Sequence, residues 1–175
     1  MNLPSARVVR EKLFELLRYG ALGGGVYILA SQFVRHSSGP KEGAPAAAFD
    51  LPLVGDAGRI SLAAQHGKPL LMEVYASWCG VCQRSAPRLA EAWRAHHADV
   101  TFLAVSVDED PAAASRLKSD WNIPFAVALD DGSVSRNYGI DMLPTLIYID
   151  KNGKVKHASA GVTSRSDLED WLTER

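Results

Sequence analysis

Both cysteines of the chain lie in one short segment, in which Trp78 precedes Cys79 and Cys82 with the spacing Cys-x-x-Cys. The run 70–75 ahead of this segment, LLMEVY, is almost entirely apolar and predicts a buried strand, and a helix is expected from Gly80 onward. The N-terminus of a helix stabilises a thiolate and lowers the pKa of a cysteine placed there. The segment therefore indicates thiol–disulfide exchange, in which the first thiolate attacks a partner sulfur and the second thiol resolves the mixed disulfide.

Other uses of a closely spaced cysteine pair fit the sequence less well. A structural zinc site needs four ligands, and the chain has no second Cys-x-x-Cys to supply them. Attachment of a c-type haem requires His directly after the second cysteine, where Gln83 stands. A purely structural disulfide rarely closes so short a loop behind a tryptophan. A redox pair is the expected role, and a structural disulfide or a metal site are the alternatives.

The first 36 residues differ in character from the rest of the chain. They carry five Lys or Arg and two acidic residues, whereas the whole chain has a formal net charge of −1 and no basic patch that would indicate nucleic-acid binding. Arg18 is followed by an uncharged stretch of 16 residues, 19–34. As a helix this stretch would measure about 24 Å, and a bilayer core measures about 30 Å. Leucines and a phenylalanine ahead of a snorkelling Arg18 extend the stretch to the length of a membrane span.

We therefore expect residues 1–36 to be a single-pass anchor in a bacterial inner membrane, with the N-terminus in the cytoplasm because the positive charge precedes the apolar stretch. A cleaved secretory signal and an amphipathic helix lying on the membrane are the alternatives. An anchor or a cleaved signal would place the thiols in the periplasm. Residues 37–48, SSGPKEGAPAAA, predict a flexible linker, so that the folded domain would cover 49–175.

Strands and helices alternate beyond the linker. Six strands are predicted, over 59–61, 70–75, 100–107, 126–129, 145–149 and 155–159. Three helices are predicted, over 80–96 with a kink at Pro87, after the cap formed by Asp110 and Pro111, and after a capping box formed by Ser164 and Asp167. Parallel strands with helical crossovers and a terminal antiparallel hairpin indicate an α/β fold, with a mixed central sheet flanked by helices.

The order of strand, Trp-Cys-x-x-Cys, helix, and then Leu-Pro-Thr at 143–145 before a strand and a hairpin resembles thioredoxin, from Phe49 to the C-terminus. More narrowly, the chain resembles the membrane-anchored TlpA/ResA-like thioredoxins of the redoxin superfamily. The segments that carry this resemblance are 49–51, 60–62, 67–69 and an insertion from about 110 to 131. The resemblance implies a thioredoxin fold with additional N-terminal strands and a central inserted αβ segment.

Four residues take their roles from this resemblance. Cys79 is implied to be the nucleophile and Cys82 the resolving thiol, and together they would form the redox disulfide. Pro144 matches the cis-proline of the family, which lies against the disulfide. The backbone of Leu143 would then pair with a strand of the substrate. No cofactor and no metal ion is expected.

Glu73 interrupts the apolar strand six residues before Cys79, where thioredoxin has a buried aspartate. Burial of a lone carboxylate is unfavourable, so its pKa is expected to rise and the group can hold or take a proton. Its expected role is to deprotonate Cys82 when that thiol attacks the mixed disulfide. The alternative is that strand alternation turns Glu73 toward solvent. Many TlpA-like proteins have an acid after the second cysteine where this chain has Ser85, which leaves the substrate preference open.

Residues beside the pair are expected to shape the site. Val81 stands where thioredoxins have proline, and the Gly-Val dipeptide contains no histidine of the kind that supports a strongly oxidising site, which favours a reducing pair. Trp78 and Tyr75 are expected to line the substrate groove beside Cys79, with a role as core aromatics as the alternative.

These features together predict a membrane-tethered thiol:disulfide oxidoreductase of the bacterial cell envelope. We expect it to be a monomer that reduces disulfides of client proteins, of the cytochrome c maturation or copper-site assembly type. A membrane electron donor would be needed to reduce it again. Two alternatives remain: a dithiol oxidase that donates its disulfide, and a metal-binding module that uses Cys-x-x-Cys as a copper clamp.

Overall fold

The computed structural model describes residues 39–55 and 57–174, so the predicted anchor over 1–36 lies outside the described residues. The strands are β1 (Asp50–Pro52), β2 (Arg59–Ser61), β3 (Leu70–Tyr75), β4 (Thr101–Ser106), β5 (Ala126–Leu129), β6 (Thr145–Ile149) and β7 (Val155–Ala160). The α-helices are α1 (Gly80–His96), α2 (Pro111–Asp120), α3 (Ser133–Asn137) and α4 (Arg165–Thr173), and a 3-10 turn covers Ala63–Gln65. Among the described residues, no helix has both the length and the apolar character needed to cross a bilayer.

Five strands form one mixed sheet in the order β5-β4-β3-β6-β7. Strand β3 is parallel to β4, which is parallel to β5, whereas β6 is antiparallel to both β3 and β7. Strands β1 and β2 form a separate antiparallel ribbon before the sheet. The segment from 110 to 131 supplies α2 and the edge strand β5. This is the predicted α/β thioredoxin fold, with its N-terminal strands and inserted αβ segment.

The central strand β3 is buried along its whole length, because both faces of the sheet are covered. Alternate side chains serve two cores. Leu71 and Tyr75 belong to the core that includes α1 and α4, whereas Leu70, Met72 and Val74 belong to the core on the other face. Since side chains of a strand alternate, Glu73 shares the face of Leu71 and Tyr75 and meets α1.

The helices begin at the capping residues that the sequence predicts. Asp110 caps α2 by accepting a hydrogen bond from the backbone N–H of Ala112 at 2.9 Å, and Ser164 caps α4 by accepting one from the N–H of Asp167 at 3.1 Å. Helix α1 continues through Pro87 to its end at His96. Helix α3 was not predicted because it is only five residues long and contains no apolar repeat of helical period.

The second half of the predicted linker packs against the domain. We call residues 41–47 the strap. The N–H of Gly43 donates to the carbonyl of Val155 at 2.7 Å, and the N–H of Val155 donates to the carbonyl of Ala44 at 2.9 Å. A further bond joins the N–H of Ala46 to the carbonyl of Gly153 at 2.8 Å. The prediction of a flexible linker over 37–48 is therefore wrong for the strap, whose backbone is fixed along the start of β7.

Candidate functional site

The cysteine pair lies where β3 ends and α1 begins. After Tyr75 the chain makes a tight turn, in which the N–H of Cys79 donates to the carbonyl of Ala76 at 3.1 Å. Cys79 is the N-cap residue of α1, with extended backbone dihedrals, and its sulfur accepts a hydrogen bond from the backbone N–H of Cys82 at 3.2 Å. In the reduced protein the same N–H and the positive end of the helix would stabilise a Cys79 thiolate.

Cys79 and Cys82 form a disulfide, with their Cα atoms 5.3 Å apart. The two sulfur-bearing residues differ in access to solvent. Cys79 is 8% exposed, whereas Cys82 is fully buried in the first turn of the helix. Of the two cysteines, only Cys79 therefore has any surface exposed to solvent.

Glu73 lies beneath this helix, with 7% of its surface exposed, so the alternative in which it faces solvent does not hold. Burial raises the pKa of Glu73 to about 7, and a hydrogen bond from Ser85 partly opposes that rise. Ser85 Oγ lies 2.8 Å from Glu73 Oε1. At neutral pH the carboxyl is thus close to half-protonated, as suits a group that both takes and returns a proton.

Ser85, which lies on α1, links the carboxyl of Glu73 to the backbone of Cys82. Its Oγ lies 2.8 Å from Glu73 Oε1 and also 2.8 Å from the carbonyl oxygen of Cys82. A serine hydroxyl has one proton, so it donates to one of these oxygens at a time. When Glu73 is ionised the hydroxyl donates to the carboxylate; when Glu73 is protonated it can accept from the acid and donate to Cys82. From the sequence, Ser85 was recognisable only as a departure from the family pattern, although its spacing of three residues from Cys82 places it one turn along the same helix.

A second polar group that the sequence analysis missed holds the turn before Cys79. The carboxylate of Asp108, just beyond β4, accepts from the backbone N–H of Ser77 at 2.9 Å and from its hydroxyl at 2.7 Å. It also accepts from Ser106 Oγ at 2.6 Å. Since Asp108 is buried, these bonds compensate for its desolvation and fix Ser77 against β4. The parallel register of β3 and β4 brings the two segments together, which could not be read from the sequence.

The peptide bond between Leu143 and Pro144 is cis, in agreement with the expectation from the sequence. The antiparallel register of β3 and β6 pairs Val74 with Thr145. Pro144 therefore lies one residue beyond that pair, at the edge of the sheet formed by the strand ends, where the turn to the cysteines begins. The carbonyl of Pro144 accepts a hydrogen bond from the N–H of Gly161 at 2.7 Å. The loops before β6 and after β7 therefore meet at this edge.

Large apolar side chains are exposed at this end of the sheet, in its loops and in the first turn of α1. Trp78 is 73% exposed, and the other members of this set are Val81, Met142 and Val162. Tyr75 differs from Trp78, because it is only 1% exposed and packs on Trp121 with ring centroids 5.8 Å apart. The expectation that the Tyr75 side chain lines the groove is therefore corrected: it is a core aromatic, since it occupies an inward position of the fully covered strand β3.

Among the described residues, no group of three or more His, Cys, Asp or Glu side chains is arranged to hold a metal ion. The carboxyls of Glu73 and Asp108 are each hydrogen-bonded to a serine hydroxyl. The arrangement as a whole combines one accessible sulfur at a helix N-terminus, one buried sulfur, and a buried acid with a pKa near neutrality. Such a site can exchange a disulfide and move the accompanying proton.

Comparison with known proteins agrees with this chemistry. The sequence profile of the Redoxin family matches residues 41–172. The thiol-disulfide oxidoreductase ResA of Geobacillus thermodenitrificans is 30% identical over 169 residues, which cover 95% of this chain and 94% of that protein. The thiol:disulfide interchange protein DsbE of Pseudomonas aeruginosa is 32% identical over 133 residues, covering 74% and 72% of the two chains.

Solved structures give the same result. A crystal structure of a Chlorobium tepidum protein, described as a thiol:disulfide interchange protein DsbE, aligns with a TM-score of 0.70 and 30% identity and covers 76% of this chain and 96% of that one. StoA of Bacillus subtilis, at 20% identity and a TM-score of 0.63, shares the fold. With the cysteine site and the ResA and DsbE similarity, these matches show that the chain belongs to the Redoxin family and is a TlpA/ResA-like thiol:disulfide oxidoreductase.

Proposed function

We propose that this oxidoreductase is a membrane-tethered reductase of the cell envelope, which uses the Cys79–Cys82 dithiol to reduce disulfides of client proteins. The observation that carries the proposal is the asymmetry of the site. Cys79 is 8% exposed at the N-cap of α1, whereas Cys82 is fully buried and its backbone carbonyl is linked to the acid Glu73 through Ser85. This asymmetry supports different roles for the two sulfurs, one facing the client and one facing the interior.

In the proposed reaction the Cys79 thiolate attacks one sulfur of the client disulfide and releases the other as a client thiolate. The Cys82 thiol then loses its proton and attacks Cys79, which releases the second client sulfur. The client gains two electrons, and the protein is left with the Cys79–Cys82 disulfide. A membrane electron donor must then supply two electrons before the next cycle.

Glu73 is proposed as the group that takes the proton of Cys82 in the second step. Burial raises the pKa of Glu73 to about 7, so that a carboxylate is available at neutral pH and is basic enough to accept a thiol proton. Ser85 bridges the carboxyl and the Cys82 backbone, which supports a fixed separation between acid and helix.

The client is proposed to bind at the exposed apolar edge around the disulfide. Trp78 supplies a largely exposed aromatic surface beside Cys79. The backbone of Leu143, which precedes the cis peptide bond, would pair with an extended segment of the client. Apocytochrome c and the copper-site cysteines of an oxidase subunit are the proposed clients, on the basis of the family resemblance alone.

Trapping experiments test the roles of the two cysteines. Cys82→Ser should accumulate a mixed disulfide between Cys79 and a client, because the resolving thiol is missing. Cys79→Ser is the matched control and should accumulate none, because the remaining Cys82 is inaccessible. Both variants would be compared on non-reducing gels after expression in the envelope of a bacterial host. Equal trapping by the two variants would refute the assignment.

The direction of electron flow is tested by equilibration with glutathione. A reductase has a stable disulfide, so the Cys79–Cys82 pair should remain oxidised when reduced and oxidised glutathione are present at equal concentration. A pair that becomes fully reduced under these conditions would instead be an oxidase. A protein that binds one Cu(I) per chain and shows no disulfide reductase activity would favour the copper clamp.

The location is proposed from the sequence of residues 1–36, which have the charge pattern of an uncleaved anchor. Tethering would raise the effective concentration of the domain near membrane-bound partners. Fractionation of cells provides the test: the full-length chain should be recovered with the membrane. Recovery from the soluble periplasmic fraction, shortened at the N-terminus, would show that the segment is a cleaved signal.

A further inference from the structure

A small cavity lies between α1 and the loop that follows β7. The volume within which the centre of a water molecule can lie is about 20 Å³, and one bound water requires about 10–15 Å³ of such volume. Its lining includes the buried side chains of Glu73, Ser85 and Thr163. Arg88 and Gly161, which also line it, are only half-buried, so the cavity reaches from the acid to the region next to the surface.

Thr163, one of the lining residues, carries a buried hydroxyl that has no partner among the described residues. The residue is 9% exposed, and its Oγ1 makes no hydrogen bond to any residue among 39–55 and 57–174. The backbone carbonyl of Thr163 accepts from the guanidinium of Arg88, so the main chain of the loop is held while the hydroxyl is not. Leaving a buried hydroxyl unpaired is unfavourable, so a water that binds it would be stabilising.

Glu73 supplies a second possible partner for such a water, the carboxyl oxygen Oε2. Ser85 uses Oε1 of the carboxyl, and no hydrogen bond to Oε2 is found within the described part of the chain. The neighbours of Glu73 across the sheet, Ala104 and Leu146, carry no charge. The charged or titratable groups that face it are Arg88 at the cavity, Tyr75 on its own strand and, after reduction, Cys82.

We propose that the cavity binds one water molecule between the Thr163 hydroxyl and the Glu73 carboxyl, and that protons enter and leave Glu73 through this water. The inference rests on the proposed role of Glu73 as proton acceptor for Cys82. The Glu73 carboxylate takes one proton from the Cys82 thiol and becomes a carboxylic acid. It then passes one proton to the water, which transfers it to bulk solvent past Arg88 and Gly161, and the carboxylate is restored. Thr163 is thus a positioning residue, which acts through the water.

The variants Thr163→Val and Thr163→Ser separate the hydroxyl from the shape of the side chain. Valine preserves the shape and removes the hydrogen-bonding group, whereas serine preserves the hydroxyl. The pKa of Glu73 would be measured by carbon-13 NMR of the carboxyl in the oxidised protein. We expect Thr163→Val to raise the Glu73 pKa by about 0.7 pH unit, which corresponds to one lost hydrogen bond of about 1 kcal/mol to the carboxylate. In Thr163→Ser the pKa of Glu73 should equal that of the wild type.

The same variants should differ in the release of a preformed mixed disulfide. Thr163→Val should slow release several-fold across neutral pH, with a changed solvent deuterium isotope effect, and Thr163→Ser should restore the rate. Thr173→Val, at an exposed position of α4, is the control and should change neither quantity. A Glu73 pKa and a release rate in Thr163→Val equal to those of the wild type would overturn the proposal. So would a high-resolution crystal structure of the wild type with a dry cavity.

The test distinguishes this inference from the proposed function. If Glu73→Gln releases the mixed disulfide as fast as the wild type, Glu73 is not the proton acceptor and the proposed role fails. The NMR titration of Thr163→Val does not depend on activity. A shifted Glu73 pKa in that variant would still support the water site, and an unshifted one would refute it.

Discussion

The burial of Glu73 predicts that the protein becomes less stable as the pH rises. Burial raises the pKa of Glu73 to about 7 from an ordinary value of 4.5. The folded state therefore holds a proton that the unfolded chain releases at lower pH, and stability is lost progressively from about pH 4.5 to pH 7. The gap of about 2.5 pH units between these two values corresponds to about 3 kcal/mol of unfolding free energy.

Glu73→Gln removes this titration and keeps an amide oxygen that can accept from Ser85. The unfolding free energy of the variant minus that of the wild type should therefore increase by about 3 kcal/mol as the pH is raised from 4 to 8.5. Urea denaturation of the oxidised proteins at several pH values measures the difference, and Glu109→Gln, at an exposed position, is the control. If the difference between Glu73→Gln and the wild type is constant within about 0.5 kcal/mol over this range, less than one typical hydrogen bond, then Glu73 does not titrate as argued.

Three further predictions concern the polar contacts and the strap. Ser85→Ala removes the hydrogen bond that lowers the pKa of Glu73, so an NMR titration should show that pKa rising above about 7; an unchanged or lower value would contradict the contact. Asp108→Asn weakens the charge-assisted bonds from Ser77 and should lower the unfolding free energy by about 2 kcal/mol in urea, together with reductase activity. A chain that starts at Phe49 loses the three backbone hydrogen bonds described between the strap and the domain, and should unfold with about 3 kcal/mol less free energy than one that starts at residue 39. Equal stability of these two chains would show that the strap does not hold the domain.

Much of the fold followed from local pattern. The six predicted strands are all present, and the predicted helix over 80–96 has those bounds because its residues follow a buried strand and a capping cysteine. Strand β1 was implied only through the family resemblance. The strap was misassigned because its small residues are typical of linkers, and its order comes from hydrogen bonds to a strand more than a hundred residues later.

Site residues were predictable where they are recognised by their spacing in the sequence or by family resemblance. They were less predictable where strand pairing brings together residues that are far apart in the sequence. The Cys79–Cys82 pair, the cis bond before Pro144 and the burial of Glu73 agree with expectations drawn from spacing or resemblance. Asp108 was missed because its partner lies 31 residues away, on a segment that the parallel sheet brings alongside. Tyr75 was misplaced because its role depends on the helices that cover β3 rather than on its distance from the motif.

The strap also bears on how the domain behaves at high concentration. Strand β7 is the last strand of the sheet, so the outer side of its backbone would present open donors and acceptors to any extended chain. Residues 43–46 occupy part of that side, and the carboxylate of Glu42 accepts from the N–H of Ala158 at 3.1 Å. These hydrogen bonds leave fewer open donors and acceptors on β7 for edge-to-edge pairing with a neighbouring molecule. A domain that starts at Phe49 is therefore expected to self-associate more readily through this strand.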